Sequence, residues 1–205
     1  MKKIIGFTAF ITFIICPHTT LAQKNRSPFR EYNIGIQVGG ASRLWNIDDS
    51  YNLGTLDYLG KQRFGSLLGA TFSYRIDSNY NLGVQYRQFY AHKESVLDDG
   101  LITNTILISF IGPFVSINRL LVGCNHSIYL NAGVGYICYK DYSALSHTEK
   151  NGRGSTTGTS ISFGYEYHVT PCISLTAEIN GIFGYLYSMR VKENDSTSRL
   201  KIYVP

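Results

Sequence analysis

Charge is scarce in this chain. Lys, Arg, Asp and Glu account for 16% of its 205 residues, and 19 basic against 14 acidic side chains leave a formal charge of only +5. So mild a surplus argues against the basic footprint of a nucleic-acid-binding protein. Long apolar runs are missing as well. Beyond residue 22 no segment approaches 18 consecutive apolar residues, so any crossing of a bilayer has to be made by strands. Cysteine is sparse and oddly counted. Cys16 lies in the first 22 residues, and the three that follow, Cys124, Cys138 and Cys172, argue against a disulfide-built scaffold in an exported protein. None of them belongs to a CxxC pair, and His126 near Cys124 lacks a second ligand pair, so no metal and no cofactor is expected. A bridge between Cys124 and Cys172 is the weaker alternative to plain thiols. Gly152, Arg153, Gly154 and Gly158 lack the lysine and the strand-to-helix setting of a phosphate loop, and read as a mobile loop.

Glycine and aromatics are what the chain has instead: 20 glycines, 16 tyrosines and 14% aromatic residues, a composition of neither a helical bundle nor a disordered tail. Its start has the three parts of a secretory signal. Lys2 and Lys3 precede an apolar run from Ile4 to Cys16, and Thr20-Leu21-Ala22 offers a small residue at the cut before Gln23. The run is too short for the roughly 20 residues a helical anchor needs, and Ile15 before Cys16 does not suit a lipoprotein cut. Residues 1–22 therefore read as a cleaved signal peptide and 23–205 as one domain.

From Asn33 onward, apolar or aromatic residues alternate with small or polar ones, which is the period of a strand. Thr159, Ile161, Phe163, Tyr165 and Tyr167 share one face, and Ser160, Ser162, Gly164, Glu166 and His168 the other. Eight strands are predicted, about 33–42, 63–76, 80–91, 104–116, 127–140, 157–169, 172–187 and 198–205. Gly112-Pro113 in the fourth calls for a bulge or a strand end, because proline removes a ladder donor. Short turns at Asp77-Ser78-Asn79 and Thr170-Pro171, with an intermediate link around Asn118 to His126, oppose longer links at 43–62, 92–103, 141–156 and 188–197. Antiparallel strands with short turns at one end and long loops at the other are the signature of a transmembrane barrel. The expected fold is therefore all-β: an eight-stranded antiparallel up-and-down transmembrane β-barrel with short periplasmic turns and longer extracellular loops.

Alternation alone fits a soluble, lipocalin-like barrel too. Three features favour the membrane. The polar face carries glycines rather than surface lysines. Tyr74, Tyr86, Tyr136, Tyr165 and Tyr167 recur near the ends of apolar faces, where interfacial rings sit. The signal also delivers the chain to where closed strands satisfy their hydrogen bonds in lipid. The chain resembles the small outer-membrane β-barrel proteins of diderm bacteria, the OmpA-like or porin-like group. The likeness rests on Ala22-Gln23, on Ile111-Gly112-Pro113, and on the run Gly164-Tyr165-Glu166-Tyr167-His168-Val169-Thr170-Pro171 followed by Ser174-Leu175-Thr176-Ala177-Glu178. The resemblance implies an outer-membrane location, membrane lipid as the surroundings and the barrel-assembly machinery as a partner during insertion. The chain departs from that group in ending at Tyr203-Val204-Pro205 without a terminal aromatic residue, so either it is truncated or closure uses a short last strand.

Gln37, Arg75, Gln85, Arg87, Asn131, Glu166 and Glu178 are expected inside, paired or hydrogen-bonded as a plug, because charges in a narrow lumen are poorly solvated. Eight strands leave room for side chains and little else. A structural or surface-interaction role in the envelope follows, with a narrow porin or transport accessory as the alternative. A lipid-modifying acyl hydrolase is the lesser one. His126 and Ser127 point to opposite faces, and His168 shares a face with Glu166 but has no serine obviously placed with it, so no catalytic residues are assigned and the chain reads as not an enzyme. An extracellular ligand would be met by the loops, which carry Trp45, Tyr51, Glu149, Lys150 and Arg153.

Overall fold

The structure is a computed structural model and describes residues 5–14, 32–43, 64–77, 79–97, 100–120, 125–145, 148–170, 173–186, 188–193 and 196–201. Among these, all regular structure is β. The strands are β1 (Ile5–Ile14), β2 (Tyr32–Ser42), β3 (Phe64–Arg75), β4 (Tyr80–Leu97), β5 (Gly100–Leu120), β6 (His126–Leu145), β7 (Thr148–Thr170), β8 (Ile173–Gly184), β9 (Ser188–Glu193) and β10 (Ser196–Lys201). From β2 to β8 each strand pairs antiparallel with the next in sequence, and β1 pairs with the far edge of β8.

The sheet is curled. Arg87 on β4 and Glu178 on β8 are four strands apart in the ladder, about 19 Å in a flat sheet, yet their side chains meet at 2.8 Å. Gln37 on β2, six strands from β8, also reaches Glu178. Curling encloses one face, and the sequence puts polar and glycine residues there. Ser160 and Ser162 are 3% and 2% exposed, while their neighbours Ile161 and Phe163 are 53% and 52% exposed. The same inversion recurs round the sheet, with Ile36, Phe72, Val84, Val115, Leu130, Phe163 and Ile179 outward on β2 to β8.

The enclosed glycines make room for large neighbours. A Cβ on Gly164 would lie 2.1 Å from Cζ of Tyr129, its cross-strand partner, and one on Gly65 would lie 2.8 Å from the Phe89 ring. At Gly112 a Cβ would lie 2.1 Å from the Val134 carbonyl, so β5 and β6 approach closely there. Pro113 produces no bulge. The β5–β6 register skips Gly112 and Pro113 and resumes unshifted at Phe114↔Gly133. The irregularity falls instead at His168/Thr170.

Three expected links are built of strands. The β4–β5 ladder runs on to Leu97↔Gly100 and the β6–β7 ladder to Leu145↔Thr148, so 92–103 and 141–156 are mostly hairpin arms and Gly152 to Gly158 lies within β7. Along these arms charged and polar residues fall at positions of both parities, as at His92-Lys93-Glu94 and Lys140-Asp141, so the alternation that marks a strand fades while the backbone ladder continues. Residues 188–197 contribute β9, which pairs with β7 at Lys150↔Glu193 to Gly154↔Met189, and the start of β10, which pairs with β9. Of the expected last strand at 198–205, the described part, up to Lys201, pairs with β9, and residues 202–205 lie outside the described residues. The far edge of β8 is taken by β1, from the segment read as an export signal. Most of the first link, including Trp45 and Tyr51, lies outside the described residues, as do Cys16, Cys124 and Cys172.

Candidate functional site

The enclosed face is polar in the middle. Arg87 is centred on Glu178, both side chains at 1% exposure or less. Strand parity puts them there: Gly83, Gln85, Arg87 and Phe89 all turn inward from β4, and Ser174, Thr176, Glu178 and Asn180 from β8. Glu178 also accepts a hydrogen bond from the Tyr129 hydroxyl at 2.7 Å and one from Gln37 Nε2 at 3.5 Å. Arg87 Nε donates to Gln85 Oε1 at 3.1 Å, and Gln85 Nε2 donates to Ser160 at 2.6 Å. One chain of contacts thus links β2, β4, β6, β7 and β8. A buried ion pair is tolerable only with such added hydrogen bonds, because desolvation of two charges offsets much of their attraction.

Toward the short turns lies a second cluster. Glu166 accepts from Ser127 at 3.3 Å and from Ser174, and the imidazole of His168 lies beside it, Nδ1 3.7 Å from the carboxylate. Ser127 Oγ is also 3.4 Å from His168 Nε2. The sequence showed no serine obviously placed with His168. The register supplies one, since Ser127 pairs directly with Glu166 and stands diagonal to His168. Ser127 donates to the carboxylate at 3.3 Å, its contact with His168 Nε2 has a direction set by the imidazole tautomer, and its backbone is held in ladders with both β5 and β7. Glu166 is thus a carboxylate satisfied by two hydroxyls, with the imidazole of His168 in longer contact with both Ser127 and the carboxylate.

Toward the hairpins the interior turns apolar. Ala41, Leu67, Phe89, Ala91 and Ile106 form a buried cluster, with Ile108 and Tyr139 against it. Beyond it, Tyr139 donates to Asp141 at 3.1 Å and accepts from Arg43 at 3.3 Å. Burial pushes the Asp141 carboxyl above the usual carboxylate range, against the opposing pull of Tyr139, Arg43 and Asn104.

Of the seven interior residues named from sequence, Gln37, Gln85, Arg87 and Glu178 join the central network and Glu166 the turn-side cluster. Asn131 is buried on the same face, its Oδ1 without a hydrogen-bond partner among the described residues. Arg75 sits at a strand end, where its Nε donates to the Asp77 carbonyl at 2.8 Å. Tyr74, Tyr136, Tyr165 and Tyr167 point outward and exposed, whereas Tyr86 is half-buried with its hydroxyl donating to Gln88. Tyr32, stacked on Phe72, joins the outward rings near the turns, and His126 packs on Tyr165 and Tyr167. Tyr129 was missed, although its odd number, on the Asn131 face, carried the signal; the glycine that makes room for its ring, Gly164, is set opposite it only by the β6–β7 register. Cys138 is a free thiol, and no group of metal-ligating side chains occurs among the described residues.

The residues define an antiparallel all-β sheet curled round a hydrogen-bonded polar interior. A scan against known protein families finds no match, and neither does a search of curated proteins. Among solved structures the chain is similar to Ail, the attachment invasion locus protein of Yersinia pestis, in complex with the heparin analogue sucrose octasulfate. The identity is 9%, covering 90% of this chain and 100% of that one, with a TM-score of 0.30.

Proposed function

We propose that the protein is an outer-membrane β-barrel, not an enzyme, with a structural or surface-interaction role in the cell envelope and a lumen plugged by its own side chains. One observation carries this reading: the sheet is inside out. Polar side chains are buried and large apolar ones ring the outside, an arrangement that water penalises and lipid rewards, since soluble monomers rarely expose contiguous apolar patches beyond a few hundred Å². The interior supports the plug, being occupied along its length by the Glu166 cluster, the Arg87–Glu178 network and the apolar cluster around Leu67 and Phe89. Envelope fractionation tests the location. The protein should sediment with outer membrane and need detergent for release, and recovery from the soluble periplasm would overturn the proposal.

The same reading makes residues 1–22 a cleaved signal, and β1 lies within them. Export then uncovers the β8 edge from Ile173 to Gly184. An open edge in lipid leaves unsatisfied backbone groups at several kcal/mol each, so a strand from the segment after β8 is the expected replacement.

A further inference from the structure

We propose that the outward face of the β6–β7 arm, with β9 and β10 beside it, is a binding surface for the phosphate groups of outer-leaflet lipid headgroups. This rests on the barrel reading, which makes that face continuous with the lipid-facing belt.

The register aligns Lys140 with Arg153, Arg153 with Arg190, and Arg190 with Arg199. Directly opposed residues project from the same face with Cβ atoms about 5 Å apart, so the three cations Lys140, Arg153 and Arg190 on β6, β7 and β9 fall within about 10 Å. The next row on that face, Tyr142, Asn151, Lys192 and Thr197, adds a further cation. Arg153, Arg190 and Lys192 are exposed and Lys140 is half-buried. Like charges facing across strands are destabilising, and the carboxylates that could relieve them are elsewhere. Asp141 is on the opposite face, engaged with Tyr139, and Glu193 has the opposite parity to Arg190 and Lys192. Glu149 has the outward parity but lies four positions beyond Arg153, about 13 Å along β7. Among the described residues, Lys140, Arg153, Arg190 and Lys192 form no ion pair.

Position selects the anion. On β6 the outward residues are apolar from Leu130 through Val134 to Tyr136, and Lys140 follows four residues later. At about 3.3 Å per residue and a tilt of about 40°, that is roughly 10 Å above the tyrosine. The row therefore stands just above the aromatic edge of the belt, at the depth of headgroup phosphates, and guanidinium forks match phosphate oxygens bidentately.

The test uses the full exported chain, folded in zwitterionic detergent, with diphosphorylated lipid A, its dephosphorylated form and soluble heparin as probes. The triple variant Lys140→Gln, Arg153→Gln and Arg190→Gln is measured beside it. Wild type should retain the diphosphorylated lipid at least tenfold better than the dephosphorylated one, with a preference that falls in high salt. The triple variant should fall to within twofold. Equal retention of the two lipids by wild type, an unchanged preference in the variant, or a preference for heparin over both lipids would each overturn the proposal. Gel migration before and after boiling is read on the same samples. A retained heat shift without phosphate preference removes this surface alone, whereas loss of the shift in wild type removes the barrel reading and this proposal with it.

Discussion

Arg87→Ala probes the centre of the lumen. It removes the only guanidinium at Glu178 among the described contacts and leaves a carboxylate at 1% side-chain exposure with two neutral donors, Tyr129 and Gln37. Stranding one member of a buried ion pair costs about 3–5 kcal/mol, whereas replacing both by apolar groups is often close to neutral. With a urea dependence of about 2 kcal/mol per molar, the unfolding midpoint should fall by roughly 2 M. Arg87→Met combined with Glu178→Leu should recover most of that. The assay is the fraction of heat-shifted band against urea for protein refolded in lipid vesicles. A water-filled lumen would solvate Glu178 and hold the loss for Arg87→Ala below about 1 kcal/mol. That small loss, or a double variant as unstable as the sum of its singles, would refute the plugged centre.

Other outcomes follow from single contacts. Gly164→Ala places a methyl against the Tyr129 ring and should destabilise by about 1–3 kcal/mol, and Tyr129→Phe in that background should leave the steric loss in place. Because burial raises the Asp141 carboxyl, its protonated form is favoured in the folded chain. That contribution is complete below the unfolded carboxylate range and is lost as pH rises through the folded value. The difference in urea midpoint between wild type and Asp141→Asn should therefore shrink from pH 7 toward pH 4, and a difference independent of pH would contradict this. Intact mass of the exported protein should correspond to removal of residues 1–22, and retention of Ile5–Ile14 would place β1 in the mature sheet. Ser127→Ala should leave outer-membrane lipid acylation unchanged in cells, and altered acylation would reopen catalysis at the Glu166 cluster.

Where one face meets an apolar surrounding and the other a crowded interior, the period of two stands out. Six of the seven strands from β2 to β8 were legible for that reason, down to Ser160, Ser162 and Glu166 on the enclosed face, whereas β5 is apolar on both faces from Ile106 to Phe114. The arms beyond the regular alternation were not, because at Lys93 and Glu94 successive residues are exposed on both faces and no alternation is selected. Glu178 and Arg87 could be placed on one face from parity, but their meeting depends on four strands of curl. Ser127 beside Glu166 likewise depends on the register between β6 and β7, which a single sequence does not display. The pairing of Ile5–Ile14 with β8 could not be anticipated from a segment whose composition fits an export signal equally well.

The most direct test is gel migration of the protein in SDS before and after boiling. A closed lipid barrel resists SDS at room temperature and changes mobility only when heated, so the unheated and boiled forms should run apart. A single unshifted band, with the protein recovered in the soluble periplasm, would contradict the membrane barrel and leave the polar interior as the pocket of a soluble binding protein.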